Sequence, residues 1–265
     1  MARIGQGCDW NFKVLTGSEA MLNPRLDLAA LSAEFAAEGR IRVRDVLDPA
    51  VAESAAAEMA GLPWQTFLAT GAGVAVVDPA EMAAWDRPRQ AELQRAMLQA
   101  ANRAEGFAYF GYRMNEAWKN GAPDTALGRF YRGLTSPETI AAIRTITGSN
   151  AFDGAFAQAT DYRPGHYLTR HLDDPKGEHR KFAFVWGFTP RWDPDWGGLL
   201  QFFDDEAQPT RSFSPRFNTL DLFDVRHVHS VTLVAPYAGN PRHAVSGWYV
   251  SGDPLNPMGY THTKG

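Results

Sequence analysis

The sequence predicts an α+β, mainly β protein: helices packed on a β-sandwich or barrel. Three observations predict it. Alanine-rich stretches with helical spacing fill the first part of the chain, and the texture changes near residue 105 to short runs of aromatic and β-branched residues. Glycine and proline punctuate those runs, as in all-β cores. No internal repeat, low-complexity stretch or clear linker separates the two textures, so the expectation is one compact unit, with 1–104 a helical support region and 105–265 the β region.

The helices follow in order. Leu28, Leu31 and Phe35 share one helical face. Asp48-Pro49 opens AVAESAAAEMAGL, a cap residue followed by proline at the first helical position. Asp78-Pro79 opens a third helix, expected to run with one interruption at Pro88 to about Ala104, and Ser136-Pro137-Glu138 a fourth. All four read as scaffold, because amphipathic alanine-rich helices carry no chemistry of their own. Among the β runs, Lys181 to Phe188 puts Phe182, Phe184, Trp186 and Phe188 on one face and Ala183, Val185 and Gly187 on the other, a strand buried on both sides. Leu199 to Phe203, Asn218 to Phe223, Val228 to Ala235 and His243 to Val250 follow, each after turn residues.

Composition narrows the function classes. The chain has 265 residues, 45% hydrophobic, with net charge −4 and a pI near 6.0, so it can bury a sizeable core and presents no basic surface that would call for nucleic acid. The N-terminus MARIGQGCDWNFKVL lacks the apolar stretch of a secretory signal and nothing approaches the length of a membrane span, so a cytoplasmic protein without a membrane partner is expected. Cys8 is the only cysteine, which rules out an intrachain disulfide and leaves nitrogen and oxygen as metal donors.

Four residues in the C-terminal half carry the chemistry. His171 and Asp173 stand at i and i+2, so on an extended chain both side chains point to one side and can offer imidazole and carboxylate to one cation. Asp174 points the other way. The distant His229 completes two histidines and one carboxylate, the set associated with non-haem Fe(II) oxygenases because it leaves coordination positions open. His227 shares a strand face with His229 and competes for the third place. Arg242 opens RHAVSGWYV and shares a side with Ala244, Ser246 and Trp248. An arginine inside a barrel is costly unless an anion pairs with it. Its planar fork suits a carboxylate, with Ser246 adding a hydroxyl donor, so a small dicarboxylate between metal and arginine is implied.

Through YRPGHYLTRHLDD, WGGLLQFF, HSVTLVAP and RHAVSGWY, over roughly residues 105–253, the chain resembles the prolyl-4-hydroxylase-like branch of the 2-oxoglutarate and Fe(II)-dependent dioxygenases. The resemblance implies a double-stranded β-helix (jelly-roll, cupin-like) core supported by N-terminal helices. It implies iron on His171, Asp173 and His229, the distal carboxylate of 2-oxoglutarate on Arg242, a tyrosine hydroxyl from Tyr162 assisting that arginine, and a hydroxyl position at Ser246. The reaction it implies consumes O2, releases succinate and CO2, and hydroxylates a C–H bond, with ascorbate as a reductant. A prolyl or other residue of a peptide or protein is the first substrate class, a free amino acid or small metabolite the second; a non-catalytic metal- or carboxylate-binding sensor barrel and a cupin-like dioxygenase without 2-oxoglutarate are the alternatives. The segment PYAGNP makes the spacing from His229 to Arg242 longer than is common in the family, and many relatives use lysine there.

Other features weigh less. Trp192 and Trp196 sit in a proline-containing loop, either holding substrate at the barrel mouth or covering its hydrophobic edge. Asp204-Asp205-Glu206 reads as a solvated hairpin tip, His166, His179 and His243 as surface or satisfied polar groups, and Arg113, Asn115 and Arg132 either as substrate-channel lining or as surface polar groups. A homodimer through the helical region is conceivable, although no heptad seam marks it.

Overall fold

A computed structural model describes residues 20–70, 72–173 and 179–251. Seven helices and twelve strands alternate along the described chain. The helix openings read from the sequence are real caps: Asp48 accepts from Ala50 N–H ahead of α2 (Pro49–Met59) and Asp78 from Ala80 ahead of α3 (Pro79–Ala84), while Asp27, not read as a cap, accepts from Ala30 ahead of α1 (Leu28–Glu38). The third expected helix is two. Trp85 leaves the helical region, Asp86 caps anew, and Pro88 sits in the first turn of α4 (Arg87–Asn102), where its missing N–H costs nothing. Beyond residue 113 come two short helices that the sequence did not suggest, α5 (Met114–Ala117) and α6 (Ala126–Gly133), and then α7 (Pro137–Thr147), capped by Ser136 as expected.

Three strands lie in the part read as helical: β1 (Arg40–Arg44) and the hairpin β2 (Gln65–Thr70) and β3 (Gly73–Val77). β1 carries the alternation of a half-buried strand, Ile41 and Val43 between arginines, but over five residues only, and the hairpin lies between alanine-rich helices. The remaining strands are β4 (Phe107–Arg113), β5 (Gly154–Tyr162), β6 (Tyr167–His171), β7 (Arg180–Phe188), β8 (Leu200–Phe203), β9 (Pro209–Phe213), β10 (Phe217–Asp224), β11 (His229–Val231) and β12 (Arg242–Val250). They pair antiparallel in the order β1-β10-β7-β12-β5-β4-β6-β11-β8-β9, with β2 on β4 and β3 on β2.

This long sheet curls on itself into the jelly roll. Side chains draw its two free edges together: Arg40 Nη1 donates to Thr210 Oγ1 at 3.3 Å and Arg42 Nη1 to the Ser214 carbonyl at 2.7 Å. The outer face of the β1-β10-β7-β12-β5 part carries Phe182, Phe184, Trp186, Leu220, Val245 and Tyr249, which form the main core with buried residues of α1, α2, α6 and α7. The alternate residues of those strands face inward. Ala183 and Val185, with Trp248, meet Phe202, Phe213 and Phe223 in one inner cluster, and Tyr162, Tyr109, Phe67, Val231 and Val234 form a second. The two-sided burial expected for Lys181–Phe188 is therefore what the fold uses. The run expected from Val228 to Ala235 pairs over only three residues, after which Val234 keeps an isolated bridge to Gly197 and Leu233 turns out to solvent. No helix among the described residues is long and apolar enough to cross a membrane.

Candidate metal and carboxylate site

The sheet register brings the distant histidines together. His171, the last residue of β6, pairs directly with His229, the first of β11, and their rings stand 4.2 Å apart between centroids. Just past β6 the Asp173 N–H donates to the Val225 carbonyl, which turns its carboxylate back between the rings. Oδ1 lies 3.5 Å from His171 Nε2 and Oδ2 lies 3.4 Å from His229 Nε2. One ligand atom from each residue falls within 4.8 Å of the others.

Both rings are oriented from behind. His171 Nδ1 is 2.9 Å from the Thr169 carbonyl and His229 Nδ1 is 2.9 Å from the His227 carbonyl. A carbonyl only accepts, so each Nδ1 carries a proton and each ring turns its Nε2 toward Asp173. His227 thus serves through its backbone, while its own ring lies against Gly39 outside the cluster. Phe223 and Phe202 hold the His229 ring at centroid distances of 4.7 and 6.2 Å. Burial opposes ionisation of Asp173, yet the two imidazoles outweigh it and hold its pKa well below the usual carboxylate range. Burial likewise opposes charging of His171, but Asp173 beside it raises its pKa above that of an ordinary histidine. A fixed anion flanked by two aimed nitrogen donors fits a divalent cation. Asp173 and His229 are buried and the His171 side chain is 29% exposed, so the cluster opens on the His171 side.

Two residues that the sequence did not nominate stand at the same end. The Arg180 guanidinium stacks 3.7 Å from the Trp248 ring centroid, with Nη1 3.8 Å from Asp173 Oδ1. Strand parity already put Trp248 on the inner face; nothing in the sequence marked Arg180, because its position depends on β7 starting beside Asp173.

Arg242 lies toward the other end of β12. It is buried, with 5% of its surface exposed, and its Nε has no hydrogen-bond partner. Burial lowers its pKa, against the pull of Tyr162 and Asp221. Tyr162 is its register partner on β5, and the guanidinium carbon stands 4.9 Å from the centre of that ring, so the contact is with the ring face. Tyr162 stacks in turn on Tyr109, 5.2 Å away between centroids, and burial pushes its pKa up. Gly198, at φ +62°, leaves the space that Trp192 and the Arg242 stem fill, since a side chain there would meet both. Ser246, half-buried, shares the inner face with Arg242, between Gln158 of β5 and Val185 of β7.

The lesser candidates resolve individually. Trp192 and Trp196 pack edge to face at 5.4 Å, and Trp192 Nε1 donates to the Gly197 carbonyl, so they act as cover for the barrel. Asn115 is buried and continues the sheet: its Oδ1 accepts from Ala157 N–H and its Nδ2 donates to the Ala155 carbonyl where β4 has ended. Arg113 pairs with exposed Glu116, and Arg132 binds the Ala122 and Pro123 carbonyls. His179 is exposed, His166 accepts from Arg163 N–H in a turn, and His243 stacks on Trp64. Asp204 to Glu206 do form the tip between β8 and β9. Cys8 and Asp174 lie outside the described residues.

Comparison with known proteins agrees with this geometry. Residues 157–250 match the family described as the 2OG-Fe(II) oxygenase superfamily. Prolyl 3-hydroxylase OGFOD1 of Xenopus laevis is 39% identical over 92 residues, 32% of this chain and 18% of that protein, and its Mus musculus counterpart is 33% identical over 100 residues, 35% and 18%. The match thus spans less than a fifth of those relatives' length. Among solved structures, a Pseudomonas putida prolyl-4-hydroxylase superposes with a TM-score of 0.55 at 18% identity, covering 89% of this chain and 100% of the other. A Trichoplax adhaerens prolyl hydroxylase, solved with a hypoxia inducible factor oxygen degradation domain peptide, gives 0.58 at 16% identity, covering 84% and 89%. These two likenesses establish the jelly-roll fold.

Proposed function

We infer from the match of residues 157–250 to the 2OG-Fe(II) oxygenase superfamily an iron(II)- and 2-oxoglutarate-dependent dioxygenase that hydroxylates a C–H bond of a prolyl residue in a peptide or protein. The observation that carries this reading is the pair of rings pinned at Nδ1, with both Nε2 atoms converging on Asp173. His171, Asp173 and His229 hold the iron, and Arg242 receives the distal carboxylate of 2-oxoglutarate in its fork, supported by Tyr162 below and by the Ser246 hydroxyl along the same strand. When bound, iron and 2-oxoglutarate supply the oxidation: O2 is consumed, succinate and CO2 leave, and the C–H carbon gains a hydroxyl group.

The chain's own residues supply position and exclusion of water. Thr169 and His227 orient the rings through their carbonyls so that each Nε2 faces Asp173, and the proton that Asp173 favours on His171 would leave when a cation takes its place. The apolar inner clusters keep water from the centre of the barrel. Beside Asp173, the partly buried Trp248 ring with Arg180 stacked on it forms the wall that an extended peptide would meet. Support for a peptide over a free metabolite comes from α1, α2, α6 and α7, which pack on the outer sheet face and leave the His171 side uncovered by them. Ascorbate as reductant, a cytoplasmic setting, a homodimer and a division at 104/105 are carried forward from the sequence as parts of the same proposal.

Anaerobic addition of Fe(II) and 2-oxoglutarate is expected to give a weak visible charge-transfer band, and O2 then to give succinate. With proline-containing peptides, mass spectrometry should detect one added oxygen on proline. His229→Ala should abolish iron-dependent turnover, and Arg242→Ala should chiefly weaken 2-oxoglutarate binding. Normal turnover by the His229→Ala protein refutes the assignment.

A further inference from the structure

The barrel holds a second buried guanidinium that the reaction as described does not use. Arg42 of β1 and Asp221 of β10 are register partners. They form a two-point ion pair, Nε to Oδ1 at 2.6 Å and Nη2 to Oδ2 at 2.7 Å, while Arg42 Nη1 donates to the Ser214 carbonyl at 2.7 Å. Their side chains are 13% and 4% exposed. With Arg242 and Thr219 they line one small cavity inside the barrel. Burying such a pair gains little stability, because desolvation of both charges offsets their attraction.

Its effect is visible in how the charges divide. The cavity is lined by one carboxylate, Asp221, and by three arginines, of which Arg216 is exposed to solvent and Arg42 and Arg242 lie within the barrel. Asp221 spends both oxygens on Arg42 and still lies close enough to act electrostatically on Arg242. Arg242 makes no ion pair among the described residues, and its Nε stays without a partner. A carboxylate released from Arg42 would turn to Arg242, whose charge is buried and unscreened, rather than to the solvent-exposed Arg216.

We propose that Arg42 is a positioning residue for the co-substrate: by holding Asp221 at two points it keeps that carboxylate off Arg242 and leaves Arg242 free to bind the carboxylate of 2-oxoglutarate. This rests on the reading of Arg242 given above. A scaffold pair and a charge-partitioning pair differ in sign. Loss of a scaffold pair is the same whichever partner is removed. In a charge-partitioning pair, removing Arg42 strands a competing anion, whereas removing Asp221 strands nothing that competes.

The test is calorimetric titration of 2-oxoglutarate into Fe(II)-loaded protein without O2. Arg42→Gln is expected to weaken binding by about tenfold or more, that is about 1.4 kcal/mol or more. Asp221→Asn should bind as tightly as wild type or tighter, Arg42→Lys should recover most of the loss, and Arg42→Gln/Asp221→Asn should return close to wild type although it lacks the pair. In turnover, Arg42→Gln raises the 2-oxoglutarate KM more than it lowers kcat. Unchanged affinity in Arg42→Gln overturns the inference, as does equal weakening in Asp221→Asn. If Arg42→Gln fails to fold, weak binding by the double variant overturns it. Arg242→Met separates the two levels: tight binding there refutes the role of Arg242 itself, whereas loss there beside an unchanged Arg42→Gln refutes only the partitioning.

Discussion

Truncating Phe202 should loosen the metal centre through a residue that touches no metal. Its ring is fully buried, with Phe223 at 5.0 Å, Phe213 at 5.9 Å and the His229 imidazole at 6.2 Å. It pairs on β8 with His229 on β11, so it forms the wall against which that ligand is set. Removing the ring to alanine loses its transfer energy and leaves a cavity that a closed barrel cannot collapse, about 3–5 kcal/mol. For a chain of this size that corresponds to a melting temperature lower by roughly 6–20 °C. The imidazole then keeps Phe223 on one side and its Nδ1 hydrogen bond but loses the wall on the other, and loss of such support weakens metal binding by roughly 10–100-fold. Thermal denaturation of the metal-free protein measures the first effect, and Fe(II) or Zn(II) titration of the folded variant at low temperature the second. Phe202→Leu, which fills most of the space, should lose far less on both scales. Metal affinity unchanged in a variant destabilised as expected would refute the coupling between this wall and the His229 ligand.

Three further outcomes follow from the same structure. Trp248→Ala removes the ring on which Arg180 stacks, so peptide hydroxylation should fall while succinate formation without peptide persists; loss of both together would contradict a substrate-side role. Asn115→Ala strands the Ala157 N–H and the Ala155 carbonyl inside the protein, at about 1–3 kcal/mol for each unsatisfied group, read as a shift of the chemical-denaturation midpoint. His166 has its pKa lowered by burial, against the pull of Asp161, so its contribution to stability is complete above the unfolded histidine pKa and declines as pH falls below it. The stability difference between wild type and His166→Gln should therefore shrink from pH 7.5 toward 5.5, and a difference independent of pH would refute that assignment.

Local chemistry determined what the sequence by itself could tell. Asp-Pro and Ser-Pro openings fix helix starts within one turn, alternation fixes which face of Lys181–Phe188 meets the helices, and the i, i+2 spacing of His171 and Asp173 fixes that both face one side. That Arg242 and Ser246 share one side was likewise legible from strand parity, though not that this side faces inward. What parity cannot give is which strands become neighbours. Only the curled sheet decides that β6 lies on β11, and hence that His171 meets His229 and rejects His227, whose ring leaves by the other side. The same closure seats β1 beside β10 and so creates the Arg42–Asp221 pair, residues far apart in a chain whose first part reads as helical. It also sets the start of β7 next to Asp173, which gives Arg180 its place. The physical reason is the range of the forces: capping, periodicity and side-chain direction act within a few residues, whereas pairing across the sheet depends on burying two faces at once, a condition that the whole chain satisfies together.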